Sequence, residues 1–237
     1  MPSWGMHLLV TKKLNEKLKV KDYNSFLIGN IITDLNNGYV IPNVSKVISH
    51  KKTHYATGGK LIKNGEVIYY DIEKFIQDND GNIDNPIILG YITHLITDSY
   101  WNNLTYHVHG VRNNEKKLIG IKLNNGDNLI AGSEIRRREK VEDFKIFVNF
   151  ICENKLIDIP VYDEKTCEYV KKIKNIQLTS EDIYKLIEFL KKTQDGVKLE
   201  RKEYKIFTQE ELIQNIDKCV EYIIEELKKY NINIENM

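Results

Sequence analysis

His94 and Asp98 lie four residues apart in the segment from Pro86 to Trp101, PIILGYITHLITDSYW. That segment reads as a helix, so both side chains emerge from one face on consecutive turns. An imidazole and a carboxylate at this spacing can grip a single cation, because the helix fixes both ligands at once. Ile87, Ile88, Leu89, Tyr91, Ile92, Leu95 and Ile96 surround the pair, and a helix apolar on most sides is a buried one. An ionised Asp98 in that setting needs compensation, from a bound cation or from a hydrogen bond with His94. Alone, the H-x-x-x-D spacing arises by chance and favours the plain buried pair.

Further residues shift that balance. Asp34 follows Gly29-Asn30-Ile31-Ile32-Thr33 at the end of an apolar helix, where a carboxylate opposes the helix dipole unless a cation is near. His54 sits four residues after His50, and His50 itself reads as a surface or capping residue. All six histidines, His7, His50, His54, His94, His107 and His109, precede residue 110. Asp34, His54, His94 and Asp98 together make a two-histidine, two-carboxylate set. Such a set suits Zn2+ and tolerates manganese or iron.

The elements that must position this set are helical. His7 to Val20 places Leu8, Leu14 and Leu18 near one face, and a second helix, capped by Asn24 or Ser25, runs through Ile32 and ends near Asn36-Asn37-Gly38. Tyr70 to Gln77 has helical periodicity before the turn Asn79-Asp80-Gly81, and Pro86 stands at a first helical position. Residues 110–132, with several Gly and Asn, predict a long loop or a small hairpin. Arg136 to Asn154, Thr179 to Thr193 and Thr208 to Tyr230 are amphipathic packing helices, the second opened by a capping run. The expectation is a single all-α domain, 1–237, with metal ligands from 1–109 and packing helices from 136–237.

Composition narrows the function classes. The 237 residues carry 35 Lys and Arg against 34 Asp and Glu, so no net field recruits nucleic acid. No apolar run is long enough for a transmembrane segment, and the first residues lack the features of a secretory signal. Cys152, Cys167 and Cys219 show no metal-type pairing and read as thiols of a reducing compartment. The expected localisation is cytoplasmic; the oligomeric state is not legible.

In order and spacing, Met1-Pro2-Ser3-Trp4-Gly5-Met6-His7-Leu8-Leu9, then Phe26 to Asp34 with its G-N-x-x-x-D, then Thr53-His54, and then Leu89 to Asp98 resemble the zinc-dependent phospholipase C family, in its short bacterial members without a secretion signal. The resemblance covers the first 101 residues. It implies a phospholipase C/P1 nuclease-like bundle with a metal cleft and hydrolysis of phosphate esters, the substrate being a small phosphoester or a phospholipid headgroup. It also implies that Asp34, His54, His94 and Asp98 hold one metal and that Asp98 bridges to a second held by His7. Trp4, which in secreted relatives supplies a terminal amine, here stands behind three residues and is expected to pack against the first helix.

The family's third metal needs an H-x-x-x-E downstream, and no histidine follows His109. His107 or His109, with Glu134, Glu139 or Asp143, is a weak substitute. In the hydrolytic reading a metal-activated water attacks phosphorus and Asp34 takes its proton. Arg112 or the Arg136-Arg137-Arg138 run offers phosphate neutralisation, although that run reads first as a solvated helix start. The rival reading is a non-catalytic metal-binding scaffold or interaction module. A phosphohydrolase of the HD type is set aside, since no His-Asp dipeptide occurs.

Overall fold

Eight consecutive buried residues, Trp4 to Thr11, open helix α1 (Trp4–Leu18), which stops at Lys19 in a left-handed conformation. The computed structural model describes residues 3–38, 41–63, 66–79 and 85–232. Helix α2 (Tyr23–Ile32) is capped by Asp22, whose carboxylate accepts the Ser25 N–H at 3.0 Å. This corrects the expected cap at Asn24 or Ser25; the Asn24 amide instead bonds the backbone of Val161 in both directions, at 2.7 and 3.0 Å. A 3-10 turn, Leu35–Asn37, follows and closes at Gly38 with φ 70°. The one-turn helix α3 (His50–Thr53) leads into an antiparallel hairpin, β1 (Ala56–Lys63) and β2 (Glu66–Tyr70), and then into helix α4 (Ile72–Asp78).

Helix α5 (Pro86–Asn103) starts as its sequence predicts: the Asn85 side chain accepts the Ile87 N–H at 2.9 Å, and Pro86 occupies the first turn. It is buried without interruption from Ile87 to Asp98 and packs along α2. Glycines make that packing close. A Cβ on Gly90 would lie 2.7 Å from the Asn30 nitrogen, and one on Gly29 2.7 Å from the Ile87 Cα. The backbones therefore touch where side chains would normally hold helices 8–10 Å apart, as is typical.

Beyond α5 a π-turn, Leu104–Val108, precedes a three-stranded antiparallel meander, β3 (Gly110–Arg112), β4 (Leu118–Lys122) and β5 (Asn128–Ile130). Helices α6 (Ser133–Glu153), α7 (Glu164–Val170), α8 (Ser180–Thr193) and α9 (Gln209–Lys229) complete the chain, and α1 packs against α6 and α9. The reciprocal capping box of Thr179 and Asp182 starts α8. The α9 ladder of Leu212, Ile216, Val220, Ile223 and Leu227 is buried throughout.

The all-α expectation is corrected to mostly α: among the described residues helices predominate, beside two small sheets. The segment 110–132 is a meander rather than one hairpin or a loop. The β1–β2 hairpin was not expected, because Gly58-Gly59 interrupts the residues of its first strand. Both glycines take positive φ, 68° and 72°, and lie where the register shifts between Ala56 and Leu61, so they form a bulge inside a strand. The predicted turn residues Asp80 and Gly81, the motif residues Met1 and Pro2, and Tyr39 lie outside the described residues. Among the described residues no helix is long and apolar enough to cross a membrane. The three cysteines are free thiols.

Candidate metal centre

Four separate elements bring the predicted ligands together. His7 comes from the buried start of α1, Asp34 from the turn after α2, His54 from the C-cap of α3, and His94 and Asp98 from α5. Asp34 is 4 % exposed and the other four are fully buried. The His54 Nε2 lies 3.2 Å from His94 Nε2 and 3.2 Å from Asp34 Oδ1. Asp98 Oδ2 is 3.7 Å from each of these two imidazole nitrogens, and His94 Nε2 is 3.9 Å from Asp34 Oδ2. Ligands about 2.0–2.1 Å from a tetrahedral zinc are separated by about 3.3–3.4 Å. The observed separations of 3.2–3.9 Å bracket that spacing, and Asp34, His54 and His94, like His7, His94 and Asp98, form buried groups that could hold a metal ion.

Hydrogen bonds behind the rings decide which nitrogens face inward. His94 Nδ1–H donates to the Asn30 carbonyl at 2.6 Å, and a carbonyl can only accept, so the proton is on Nδ1. The Gly29–Gly90 contact between α2 and α5 is what brings that carbonyl within reach. Thr53 directs its hydroxyl proton to Asn37 Oδ1 at 3.3 Å and to the His50 carbonyl at 3.4 Å; its oxygen then accepts from His54 Nδ1–H at 2.8 Å. Asn37 Nδ2 closes the ring by donating to Asp34 Oδ1 at 3.2 Å, and the Tyr91 hydroxyl donates to the Thr53 carbonyl. Both rings therefore aim Nε2 lone pairs at two carboxylates. Partners behind ligating histidines typically contribute 10–100-fold to metal affinity. Thr53→Val, which keeps the shape and removes the acceptor for His54, is expected to weaken zinc binding by about that factor in a competition titration with a chromogenic chelator.

Burial, and then the neighbouring His7, push the His94 imidazole down to about 3, so it is neutral near pH 7. Burial also opposes ionisation of Asp98, but His94 and the His7 side chain outweigh it and hold the carboxyl well below the usual range. Asp34 is likewise depressed: burial opposes its ionisation, but the neighbouring His54 and His94 side chains outweigh that cost. With His94 neutral, the positive charge that two buried carboxylates demand must come from another source. Among the described residues neither oxygen of Asp98 and neither ring nitrogen of His7 has a hydrogen-bond partner. Asp98 Oδ1 faces His7 Nε2 at 3.4 Å while its Oδ2 faces His54 and His94. One carboxylate thus looks toward two adjacent positions, with the His7 ring stacked on the His94 ring at 4.1 Å.

His50, set aside on sequence, belongs to this neighbourhood. Its ring stacks on His54 at 3.8 Å, and it groups with His54 and Asp98 as potential donors. Asp34 and His50 also line a cleft of about 690 Å³, together with Tyr70, Trp4, Val148 and Phe189. The expectation for Trp4 is extended, since its ring packs edge-on against Phe189 of α8 at 5.4 Å. Tyr106 also lines the cleft, whereas Tyr91 and Trp101 are core residues.

Three of the five substitutes for a third metal site are engaged elsewhere. His109 Nε2 pairs with Glu211 at 2.8 Å, and Glu139 bonds Arg138 and Lys205, both at 3.0 Å. Fully buried Asp143 accepts from Arg201 and from the backbone N–H groups of Lys205, Ile206 and Phe207 at 2.7–3.0 Å. Arg112 binds the Lys116 and Tyr106 carbonyls, away from the cluster. Comparison with family models, curated proteins and solved structures found no match.

Proposed function

We propose that this protein is a metal-dependent phosphoesterase resembling the zinc-dependent phospholipases C, with Asp34, His54, His94 and Asp98 holding zinc and with His7 and the second Asp98 oxygen serving an adjacent ion. The observation that carries this reading is the buried cluster of overlapping three-donor groups, His7–His94–Asp98 and Asp34–His54–His94, beside a large cleft lined by Asp34 and His50. Manganese or iron would suit the same donors less well. A divalent ion at such a site supplies Lewis acidity, polarising a phosphoryl oxygen and bringing the pKa of water toward neutrality.

The chain's own groups supply the rest. Asp34 lines the cleft, is oriented by Asn37, and accepts the proton of the attacking water. Attack forms a new P–O bond and breaks the ester P–O bond, and the departing alkoxide regains a proton. Asp98 and His94, fixed one turn apart on a rigid helix, keep the donor geometry constant while this happens. The cleft has room for a small phosphoester or a phospholipid headgroup.

The test is metal analysis and turnover on the same preparations. The unaltered protein should purify with at least one zinc per chain and hydrolyse bis-p-nitrophenyl phosphate or p-nitrophenyl phosphate. His94→Ala should lose both the metal and the turnover. Unchanged zinc content in His94→Ala would remove this site from consideration. A zinc-loaded protein inert across a broad phosphoester panel would leave a metal-binding scaffold without catalysis.

A further inference from the structure

A second polar feature of the same cleft has no role in holding metal. Lys140 on α6 lines it and is only 2 % exposed. Its ammonium sits 4.7 Å above the Tyr106 ring and 5.8 Å from the Phe144 ring, and among the described residues no carboxylate pairs with it. A ring quadrupole steadies a cation but does not replace its lost hydration. A buried ammonium held only by rings therefore leaves donor capacity for an anion.

The neighbouring arginines divide their work. Arg136 bonds the Ala131 carbonyl and Arg138 bonds Glu139, whereas Arg137 is exposed on the cleft beside Lys140. Among the described residues the one acid that lines the cleft is Asp34, which belongs to the candidate metal cluster. Between the cationic pair and α8 the wall is apolar, with Trp4, Val148 and Phe189.

We propose that Lys140, with Arg137, is an anion-binding subsite of this cleft, and that it selects phosphate esters with an apolar substituent lying along Trp4, Val148 and Phe189. The subsite rests on the phosphoesterase reading only for the identity of the anion, since its residues bind without metal. Lys140 acts here as a binding residue for phosphate oxygens, which a compact ammonium serves as a point charge.

Phenyl phosphate, titrated calorimetrically into chelator-treated full-length protein, tests it. The unaltered protein should bind, and Lys140→Met, which keeps the aliphatic stem against Tyr106, should bind at least tenfold more weakly. Lys140→Arg should stay within about threefold of the parent, because a charged hydrogen-bond donor is retained. Arg137→Gln, at an exposed position that leaves folding intact, should weaken binding about threefold, in line with one exposed charge. Absence of binding by the unaltered protein, or equal affinity in Lys140→Met and Arg137→Gln, overturns the subsite. His94→Ala in chelator should bind phenyl phosphate like its parent. Failure of the zinc site and failure of the anion subsite are thereby read separately.

Discussion

Chelating divalent metal from this protein is expected to lower its Tm by about 8–16 °C. A ligand bound only to the native state stabilises it by about 4 kcal/mol at a thousandfold excess over Kd. For a chain of this length each kcal/mol moves Tm by about 2–4 °C. The direction follows from what the metal-free cluster contains: two buried carboxylates, His94 neutral, and Asp98 with neither oxygen hydrogen-bonded among the described residues. Without an ion, these groups must be hydrated or must recruit protons to remain buried. Scanning calorimetry in zinc and in chelator measures the difference. In His94→Ala the gap should shrink to about 2 °C or less, because that substitution removes a ligand that three others cannot replace in a four-donor shell. An undiminished gap in His94→Ala would mean that the stabilising metal sits elsewhere in the chain.

The long elements were legible because their sequence signals are local. Pro86 behind Asn85, Thr179 before Asp182, and the ladder from Leu212 to Leu227 each act within a few residues, and each appears as a cap, a capping box or a buried face. The five candidate residues stood out by type and order, and the structure brings their side chains together. What stayed hidden depends on tertiary contact. His50 joins the cluster only because one turn of α3 stacks it on His54. Lys140, embedded in Arg136-Arg137-Arg138-Glu139-Lys140, has the pattern of a solvated face, and its burial comes from Tyr106 and Phe144 covering it. The β1 strand was obscured by Gly58 and Gly59, whose positive φ marks a bulge as readily as a break. Likewise, nothing in the charge of Asp143 distinguishes a metal ligand from what it is, the acceptor that ties 205–207 to α6.

Gly90 is where fold and site are most tightly joined, and Gly90→Ala is expected to destabilise the protein by about 3 kcal/mol, at the upper end of overpacking costs. The sign is informative. In an unconstrained helix interior, alanine is better than glycine by about 1 kcal/mol, so propensity alone predicts a gain. Here the new methyl would meet the Phe26 carbonyl and lie 2.7 Å from the Asn30 nitrogen. Those are backbone atoms of α2 and cannot rotate aside, so α2 and α5 must separate, and sterics win. Separation also draws the Asn30 carbonyl from His94 Nδ1, now 2.6 Å away, which frees the ring that aims Nε2 at the cluster. Zinc affinity should therefore fall by about 10–100-fold in the same variant. Gly132→Ala is the control: its Cβ meets nothing within 4 Å and its φ of −63° suits any residue, so stability should change by no more than about 0.5 kcal/mol, as for a benign surface substitution. Chemical denaturation of both variants, with a zinc competition titration on each, gives the comparison. A Gly90→Ala protein as stable as its parent, with unaltered zinc affinity, would show that the close approach of α2 and α5 does not set the His94 orientation.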